Sequence, residues 1–191
     1  MAPQIVNGAH DEWMGELIVV TGPPGAGKTT VSQILSGLFD LSAHIAGDEF
    51  FGFIDQGYLA PWTNIAHRQN EIVIEAAAAG RLAAGGYTVI YDGVVRPWFL
   101  DAFGRATGLG RLLYLILLPP EHMCLDRVAS RVGHGFTDLD AASHMYADFA
   151  QADVDSRHVI TSVANADLQA AHLFELVRSQ SVVSLVEQSQ R

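Results

Sequence analysis

The sequence predicts an α/β protein with a parallel sheet that is covered by helices on both faces. Short apolar runs rich in β-branched residues recur along the chain, and helical segments of about ten to twenty residues separate them. Such spacing indicates crossover connections, which join parallel strands. The 191 residues suit one domain. We expect its core to span about residues 16 to 178.

The first elements have clear local signals. Leu17-Ile-Val-Val-Thr21 is a short apolar run, typical of a strand buried on both faces. A helix is predicted from about Lys28 to Phe39, and a second strand near Ala43 to Ala46. The stretch from Phe50 to Ala60 is predicted to be a loop, because glycines interrupt it.

The middle of the chain continues the alternation of helices and strands. A long helix is predicted from about Pro61, where proline is tolerated in the first turn, to the glycine pair Gly85-Gly86. Tyr87 to Tyr91 is the predicted third strand, and a short helix over Pro97 to Ala106 follows it. Arg111 to Leu118 is the predicted fourth strand.

The remaining elements complete the sheet and its cover. One helix is predicted over about Pro119 to Arg131, and another from Asp138 or Asp140 to Ala150. The fifth strand is predicted over His158 to Thr161, and a last helix from Ala166 onward. The tail from Ser181 to Arg191 is interpreted as a helical extension or a frayed end.

Composition and charge exclude several classes of protein. The longest apolar runs fall well short of the ~20 residues of a membrane span, and acidic residues near the N-terminus argue against a secretory signal. Cys124 is the only cysteine, which excludes an intramolecular disulfide and a thiolate zinc cluster. We therefore expect a cytoplasmic protein without membrane contact, as a monomer or a homodimer.

The net charge of −10 argues against bulk binding of nucleic acid, because polyanions are repelled at long range. The basic residues are spread along the chain, and Lys28 is the only lysine among them. A general preference for arginine explains most of this bias. The retained lysine nevertheless indicates a position that needs a compact ammonium group.

The most specific motif is a phosphate-binding loop. Gly22-Pro-Pro-Gly-Ala-Gly-Lys28-Thr29 satisfies G-x-x-x-x-G-K-T between a predicted strand and a predicted helix. Its glycines let backbone N–H groups turn toward phosphates, and the helix N-terminus adds a positive dipole end. A glycine-rich turn without a ligand would require neither the lysine nor the hydroxyl. The predicted nucleotide-binding residues are Gly22, Pro23, Pro24, Gly25, Ala26, Gly27, Lys28, Thr29 and Thr30.

The loop indicates ATP and Mg²⁺ as the groups that the chain binds. Lys28 is expected to reach the β- and γ-phosphates, and the Thr29 hydroxyl is a predicted Mg²⁺ ligand. Phosphate binding by itself does not distinguish a kinase from a switch or a motor. Acidic and basic residues elsewhere in the chain bear on that choice.

Asp48 follows the second predicted strand, so it is expected at the carboxyl edge of the sheet, where open α/β sheets bind ligands. A carboxylate beside the γ-phosphate can accept the proton of an attacking hydroxyl. The alternative is an Asp that caps a loop or turn. The neighbouring Glu49 is a second candidate for the same role, and we prefer Asp48 as the base.

Asp92 ends the third predicted strand after apolar and aromatic residues. This pattern is similar to a Walker B strand, in which the acid holds Mg²⁺ through water or binds a substrate hydroxyl. A helix cap is the alternative for this acid. Arg96, a few residues later, is a candidate for steering a polar or anionic substrate, or else a solvated loop residue.

Arg127 and Arg131 lie four residues apart on the helix after the fourth strand and therefore share one face. If that face looks onto the phosphate loop, the two arginines would neutralise charge on the transferred phosphoryl group. The alternative is a solvated arginine stripe.

Together these residues resemble the small P-loop kinases of metabolites and antibiotics, which include gluconate kinase, chloramphenicol phosphotransferase and shikimate kinase. The similarity spans about Leu17 to Leu176. Beyond the P-loop, Gly47-Asp48 is similar to the segment that places the catalytic acid in gluconate kinases and chloramphenicol phosphotransferases. The segment Arg127 to His134 is similar to the arginine-bearing lid of gluconate kinases.

The resemblance carries several implications. It implies a three-layer P-loop fold with a five-stranded parallel sheet in the order 2-3-1-4-5. It also implies that the lid closes over ATP and that its arginines contact the phosphates, which favours Arg131 as a catalytic residue. The loop after the fifth strand, Thr161 to Ala164, would form part of the adenine pocket.

The stretch expected to recognise the substrate departs from gluconate kinases. It lacks their His-Pro and Lys-rich features and is rich in aromatic and polar residues instead, namely Phe51, Phe53, Tyr58, Trp62, His67, Arg68 and Asn70. Aromatic rings suit a flat or partly apolar substrate, although packing in the core is the alternative. Arg68 and Asn70 cannot easily both face the pocket from one helix. Asp92, Arg96 and Arg68 are the substrate-binding candidates.

The sequence thus predicts an ATP-dependent kinase that phosphorylates a hydroxyl of a small molecule. Lys28, Asp48, Arg131 and Arg127 are the predicted catalytic residues, and Thr29 and Asp92 the predicted Mg²⁺ residues. Two alternatives stay open. One is a kinase of nucleotides or nucleic-acid ends, which would be expected to have a basic groove. The other is a regulatory protein that binds ATP without efficient transfer.

Overall fold

The computed structural model describes residues 15–60, 63, 75–130 and 136–186. The strands are Leu17–Thr21 (β1), Ser42–Ala46 (β2), Thr88–Asp92 (β3), Arg111–Leu117 (β4), Val159–Ile160 (β5) and Val183–Leu185 (β6). The α-helices are Lys28–Ser36 (α1), Glu75–Ala84 (α2), Leu100–Thr107 (α3), Glu121–Ala129 (α4), Leu139–Ala150 (α5) and Ala166–Arg178 (α6). Short 3-10 helices cover Gly47–Phe53, Pro97–Phe99 and Ser156–His158. Within these ranges, no helix has the length and apolar character to span a membrane.

The sheet confirms the predicted α/β class and strand order. Strands β2-β3-β1-β4-β5 are neighbours in that order, and all of these pairs are parallel. β1 lies between β3 and β4, and the P-loop motif begins where β1 ends. Because parallel strands end at one edge, the residues after β1, β2 and β3 meet there.

Two apolar clusters cover the two faces of the sheet. In β1, Ile18 and Val20 belong to one cluster, while Leu17 and Val19 belong to the other. Successive side chains of a strand point to opposite faces, so this alternation requires cover on both sides. Helices α1 and α6 contribute to the first cluster, and α2 and α3 contribute to the second.

Several element boundaries differ from the predictions. α1 ends at Ser36 rather than Phe39, where the Gly37 N–H donates to the carbonyls of Gln33 and Ile34. The first residues of the loop predicted over Phe50 to Ala60 belong instead to a 3-10 helix, Gly47–Phe53. Of the long predicted helix, Thr63 and the end, Glu75–Ala84, lie within the described residues, and Thr63 is not helical.

The interpretation of the tail as a helical extension or a frayed end is wrong for its first part. Val183–Leu185 forms β6, which pairs antiparallel with β4 and adds a sixth strand to the predicted five. Val182 and Val186 flank this strand and are buried. A Cβ on Gly104 of α3 would lie 2.6 Å from Val186, so the glycine permits this packing. Apolar burial therefore fixes the segment to the sheet.

Candidate active site

The P-loop forms a tight turn between β1 and α1. Gly22, Gly25 and Gly27 have φ angles of 137°, 81° and 96°, which side chains with a Cβ adopt only at a cost. α1 begins at Lys28, directly after this turn. The local structure therefore has the strand, the glycine turn and the helix N-terminus that phosphate binding requires.

Two of these glycines also permit close packing. A Cβ on Gly22 would overlap the carbonyl oxygen of Leu117 at the end of β4. A Cβ on Gly25 would overlap the carbonyl oxygen of Cys124 in α4. The loop therefore lies directly against both elements, and glycine is needed there for steric reasons.

Replacement of Gly25 by alanine tests this close approach. We expect Gly25→Ala to lower the free energy of unfolding by at least about 1–2 kcal/mol, because the left-handed backbone disfavours a Cβ and the new methyl meets a backbone carbonyl. ATP affinity should fall as well. Chemical denaturation and titration with ATP·Mg measure the two effects. Gly110→Ala is the control, since a Cβ there meets nothing within 4 Å; equal effects in both variants would refute the packing argument.

Lys28 is almost buried within the P-loop. It is 8% exposed, and its Nζ donates a hydrogen bond to the Pro23 carbonyl at 3.2 Å. No carboxylate forms an ion pair with Lys28 among the described residues. A buried ammonium that is balanced by only a carbonyl dipole favours an anionic ligand. The structure therefore leaves the positive charge of Lys28 available for phosphate.

Arg127 of α4 faces the P-loop. Its Nη1 donates to the Gly25 carbonyl at 3.1 Å, so this arginine contacts the loop and is not only part of a solvated stripe. The side chain is otherwise largely exposed. Arg131, the second arginine of the predicted pair, lies outside the described residues. Two cationic side chains, Arg127 and Lys28, thus donate to carbonyls of the same short loop.

The environment of Cys124 reflects these two cations. Burial raises the pKa of the Cys124 thiol, while Arg127 and Lys28 act to lower that pKa and Glu121 acts to raise it. Cys124 is 1% exposed, so it serves to pack α4 against the loop. Lys28 and Arg127 both donate to carbonyls of the P-loop, so two positive charges lie where α4 meets this loop.

Asp92 ends β3 beside the P-loop strand. It is 4% exposed and pairs in register with Val20 of β1, two residues before Gly22. Its Oδ2 lies 3.6 Å from Nε2 of His44, and its Oδ1 has no hydrogen-bond partner within the described part of the chain. A buried carboxylate oxygen without a partner requires a ligand or water.

The helix-cap alternative for Asp92 is wrong. The next helical residues are Pro97–Phe99, whose N-cap is Arg96, and no side chain caps them. The acid therefore has no local structural role of the kind that strand-end acids usually have. Its position fits the Mg²⁺ or substrate role that the strand pattern predicts.

Asp48 and Glu49 lie in the first turn of the 3-10 helix after β2. Ala46, the last residue of β2, pairs with Asp92 in register, so both acids leave the sheet edge beside Asp92. Both side chains are exposed. The strand stops at Ala46, so the alternation of side chains along a strand does not distinguish the two acids.

Gly47 permits close packing between the end of β2 and β3. A Cβ on Gly47 would overlap the hydroxyl of Tyr91, which is 2% exposed and packs on Phe103. The tyrosine of β3 thus closes the space beside the end of β2. The backbone leaves the strand there and carries Asp48 away from the sheet.

Arg96 is not a solvated loop residue. It is 6% exposed, and its Nε donates to Oδ2 of Asp148 in α5 at 2.8 Å. Its guanidinium also lies over the Trp98 ring, 5.8 Å from the centroid. Asp148 balances the charge that was expected to steer an anionic substrate. Arg68, the other predicted basic substrate residue, lies outside the described residues.

Sequence reasoning missed Thr21 and Tyr114, which fix the segment after β3. The Thr21 hydroxyl donates to the Val95 carbonyl at 3.1 Å and accepts from the Val95 N–H at 2.9 Å. The Tyr114 hydroxyl donates to the same carbonyl at 2.7 Å. Burial raises the pKa of Tyr114, so the phenol stays a donor. A tyrosine within an aliphatic strand is the signal that could have indicated this role.

The aromatic residues after β2 are only partly explained by packing. Phe53 is 76% and Tyr58 is 48% exposed, so core packing is wrong for both. Phe51 is partly buried. Trp62, His67 and Asn70 of the same predicted substrate-recognition stretch lie outside the described residues. The residues after β5, Thr161 to Ala164, are mostly exposed, and their role in an adenine pocket stays a prediction.

Comparisons with known proteins agree with the fold. No protein-family model matches the chain, and no curated protein sequence matches it. A sugar kinase from Janibacter sp. HTCC2649 is similar in structure, with a TM-score of 0.62, 17% identity, and coverage of 86% of this chain and 95% of that one.

Two further solved structures have the same architecture. A gluconokinase from Sinorhizobium meliloti 1021 has a TM-score of 0.55 and 22% identity over 88% of this chain and 98% of its own. A tunicamycin resistance protein from Deinococcus radiodurans has a TM-score of 0.63 and 15% identity over 91% and 99%. The chain therefore has the fold of the small P-loop kinases, as the resemblance implied.

Proposed function

We propose that this protein is an ATP-dependent kinase that transfers the γ-phosphate of ATP·Mg to a hydroxyl group of a small molecule. The observation that carries the proposal is the position of Asp92. Its buried Oδ1 has no hydrogen-bond partner among the described residues. Asp92 lies on β3 beside β1, and the P-loop with the available charge of Lys28 begins where β1 ends. The fold shared with a sugar kinase and a gluconokinase supports the same class of reaction.

The residues of the donor side fit a nucleoside triphosphate. The positive φ angles of Gly22, Gly25 and Gly27 let backbone N–H groups turn toward phosphates, and the N-terminus of α1 adds its dipole. Lys28 would hold the phosphates, and Thr29 and Asp92 would hold Mg²⁺, directly or through water. When bound, Mg²⁺ neutralises phosphate charge. Oxygen donors of this kind are the ligands that Mg²⁺ prefers.

The residues of the acceptor side support proton removal from a hydroxyl. Asp48 is exposed at the sheet edge beside Asp92, and a carboxylate there can accept the proton of the attacking hydroxyl. The arginines of the α4 segment would stabilise negative charge on the transferred group. The work of the protein in this reaction is mainly positioning and charge stabilisation.

Acceptor-dependent release of ADP is the test of this proposal. Purified protein with ATP·Mg is screened against sugars, sugar acids, nucleosides and antibiotics, and a kinase must release ADP and form a phosphorylated acceptor. ATP binding without any acceptor-dependent turnover would instead favour the regulatory alternative. Turnover that requires a nucleotide or an oligonucleotide end would favour the other alternative.

The lid arginines are tested as a pair. We expect Arg131→Ala to lower kcat far more than ATP affinity, by about 10²-fold, because it would contact the phosphoryl group during transfer. Arg127→Ala should weaken ATP binding as well, since Arg127 also holds the P-loop carbonyl of Gly25. Steady-state kinetics and direct ATP titration separate the effects. Equal losses of kcat and affinity in Arg131→Ala would mean that it only binds the ground state.

A further inference from the structure

The aromatic residues with the largest exposed fractions lie on the segments that follow the strands of Asp48 and Asp92. Among the described residues, Phe53, Trp98 and Tyr58 are 76%, 51% and 48% exposed. The segments that carry them follow β2 and β3, which pair in parallel and end at the same edge of the sheet. Exposed aromatic surface next to a functional site is typical of a surface that binds a ligand.

Trp98 is held in place although half of it is exposed. The Arg96 guanidinium lies over its ring at 5.8 Å, and the Phe99 ring is 6.1 Å away. Arg96 is itself fixed by the 2.8 Å hydrogen bond to Asp148 of α5. A ring that is already ordered loses little entropy when a ligand stacks on it, so it can contribute more to binding.

The charges of these segments disfavour an anionic acceptor. Residues 47 to 60 contain three acids, Asp48, Glu49 and Asp55, and no lysine or arginine. In the segment from Gly93 to Phe99 the only basic residue is Arg96, and Asp148 balances its charge. The exposed carboxylates of Glu49 and Asp55 would therefore repel a carboxylate or phosphate on the acceptor.

We propose that the phosphoryl acceptor is an uncharged hydroxyl compound with a flat unsaturated ring, and that this ring stacks on Trp98. This inference rests on the proposed function, because it assigns the acceptor of the same site. The ring is the base of a nucleoside or the aryl group of another alcohol, since both offer a π face to an indole. Phe53 and Tyr58 would supply further contact surface around it.

Binding and turnover are measured separately to test the acceptor class. Calorimetric titrations in the presence of ADP·Mg use uncharged ring alcohols, thymidine and 2-(4-hydroxyphenyl)ethanol, and the anionic polyol gluconate. We expect at least one ring compound to bind and gluconate to bind more weakly. Trp98→Ala should weaken binding of the ring compound about tenfold or more, while Trp98→Phe retains most of it. Preference for thymidine or for the aryl alcohol identifies the source of the ring.

Tyr87→Ala is the control, because Tyr87 is 37% exposed before β3, at the opposite end of that strand from Asp92. Thermal melts confirm that each variant is folded. Binding that depends on Trp98 without ADP release would uphold the ring site and refute the kinase function. Stronger binding of gluconate than of both ring compounds, or equal losses in Trp98→Ala and Tyr87→Ala, would overturn the inference even if the protein phosphorylates another acceptor.

Discussion

Lys28→Ala is expected to abolish the use of ATP. The ammonium is the only lysine charge in the chain, and no carboxylate among the described residues balances it. Loss of a preorganised group of this kind lowers turnover by about 10²–10³-fold, and ATP affinity should fall with it. ADP release and direct ATP titration measure both quantities.

Lys28→Arg tests the shape of the side chain separately from its charge. It keeps the positive charge, but a planar guanidinium does not match the compact ammonium that donates to the Pro23 carbonyl. We therefore expect Lys28→Arg to be nearly as inactive as Lys28→Ala. An exposed arginine, Arg178, provides the control as Arg178→Ala. Normal turnover in Lys28→Arg would show that charge alone suffices at this position.

Asp48→Asn is expected to separate binding from chemistry. The amide has nearly the same shape but cannot accept the proton of the attacking hydroxyl, so kcat should fall by about 10²–10⁴-fold. ATP affinity should stay close to that of the unmodified protein, because the predicted phosphate contacts lie on the P-loop. Single-turnover kinetics with a productive acceptor and equilibrium ATP titration measure the two quantities.

Glu49→Gln is the matched control for the base. Both acids lie in the first turn of the same 3-10 helix and both are exposed, so Glu49→Gln removes one negative charge from the same turn. If Asp48 is the base, Glu49→Gln retains most of the activity. The reverse pattern would transfer the role to Glu49, and normal turnover in both variants would exclude a base from this turn.

Local sequence patterns were sufficient to predict the donor side of the site. The glycine turn, Lys28 and the start of α1 are contiguous in sequence, and their geometry follows from backbone conformation and helix polarity. Asp92 was also predictable, because a strand followed by an acid positions that acid at the sheet edge. The strand order followed from the resemblance to P-loop kinases rather than from the residue pattern.

Contacts between distant segments were not predictable in this way. The charge of Arg96 is balanced by Asp148, 52 residues away, and no local spacing encodes such a partner. The same holds for β6: its short apolar run is compatible with a strand, but its pairing with β4 depends on the folded sheet. These features depend on which surfaces the packed helices and strands bring together.

The sequence by itself determined the α/β class, the P-loop and the place of Asp92, because each depends on periodicity or on adjacent residues. Only the tertiary structure decided that Arg127 contacts the loop, that Arg96 is paired and buried, and that Phe53, Tyr58 and Trp98 are exposed. Burial and long-range pairing are properties of the packed chain, and an aromatic residue has the same local pattern whether it enters the core or faces a ligand.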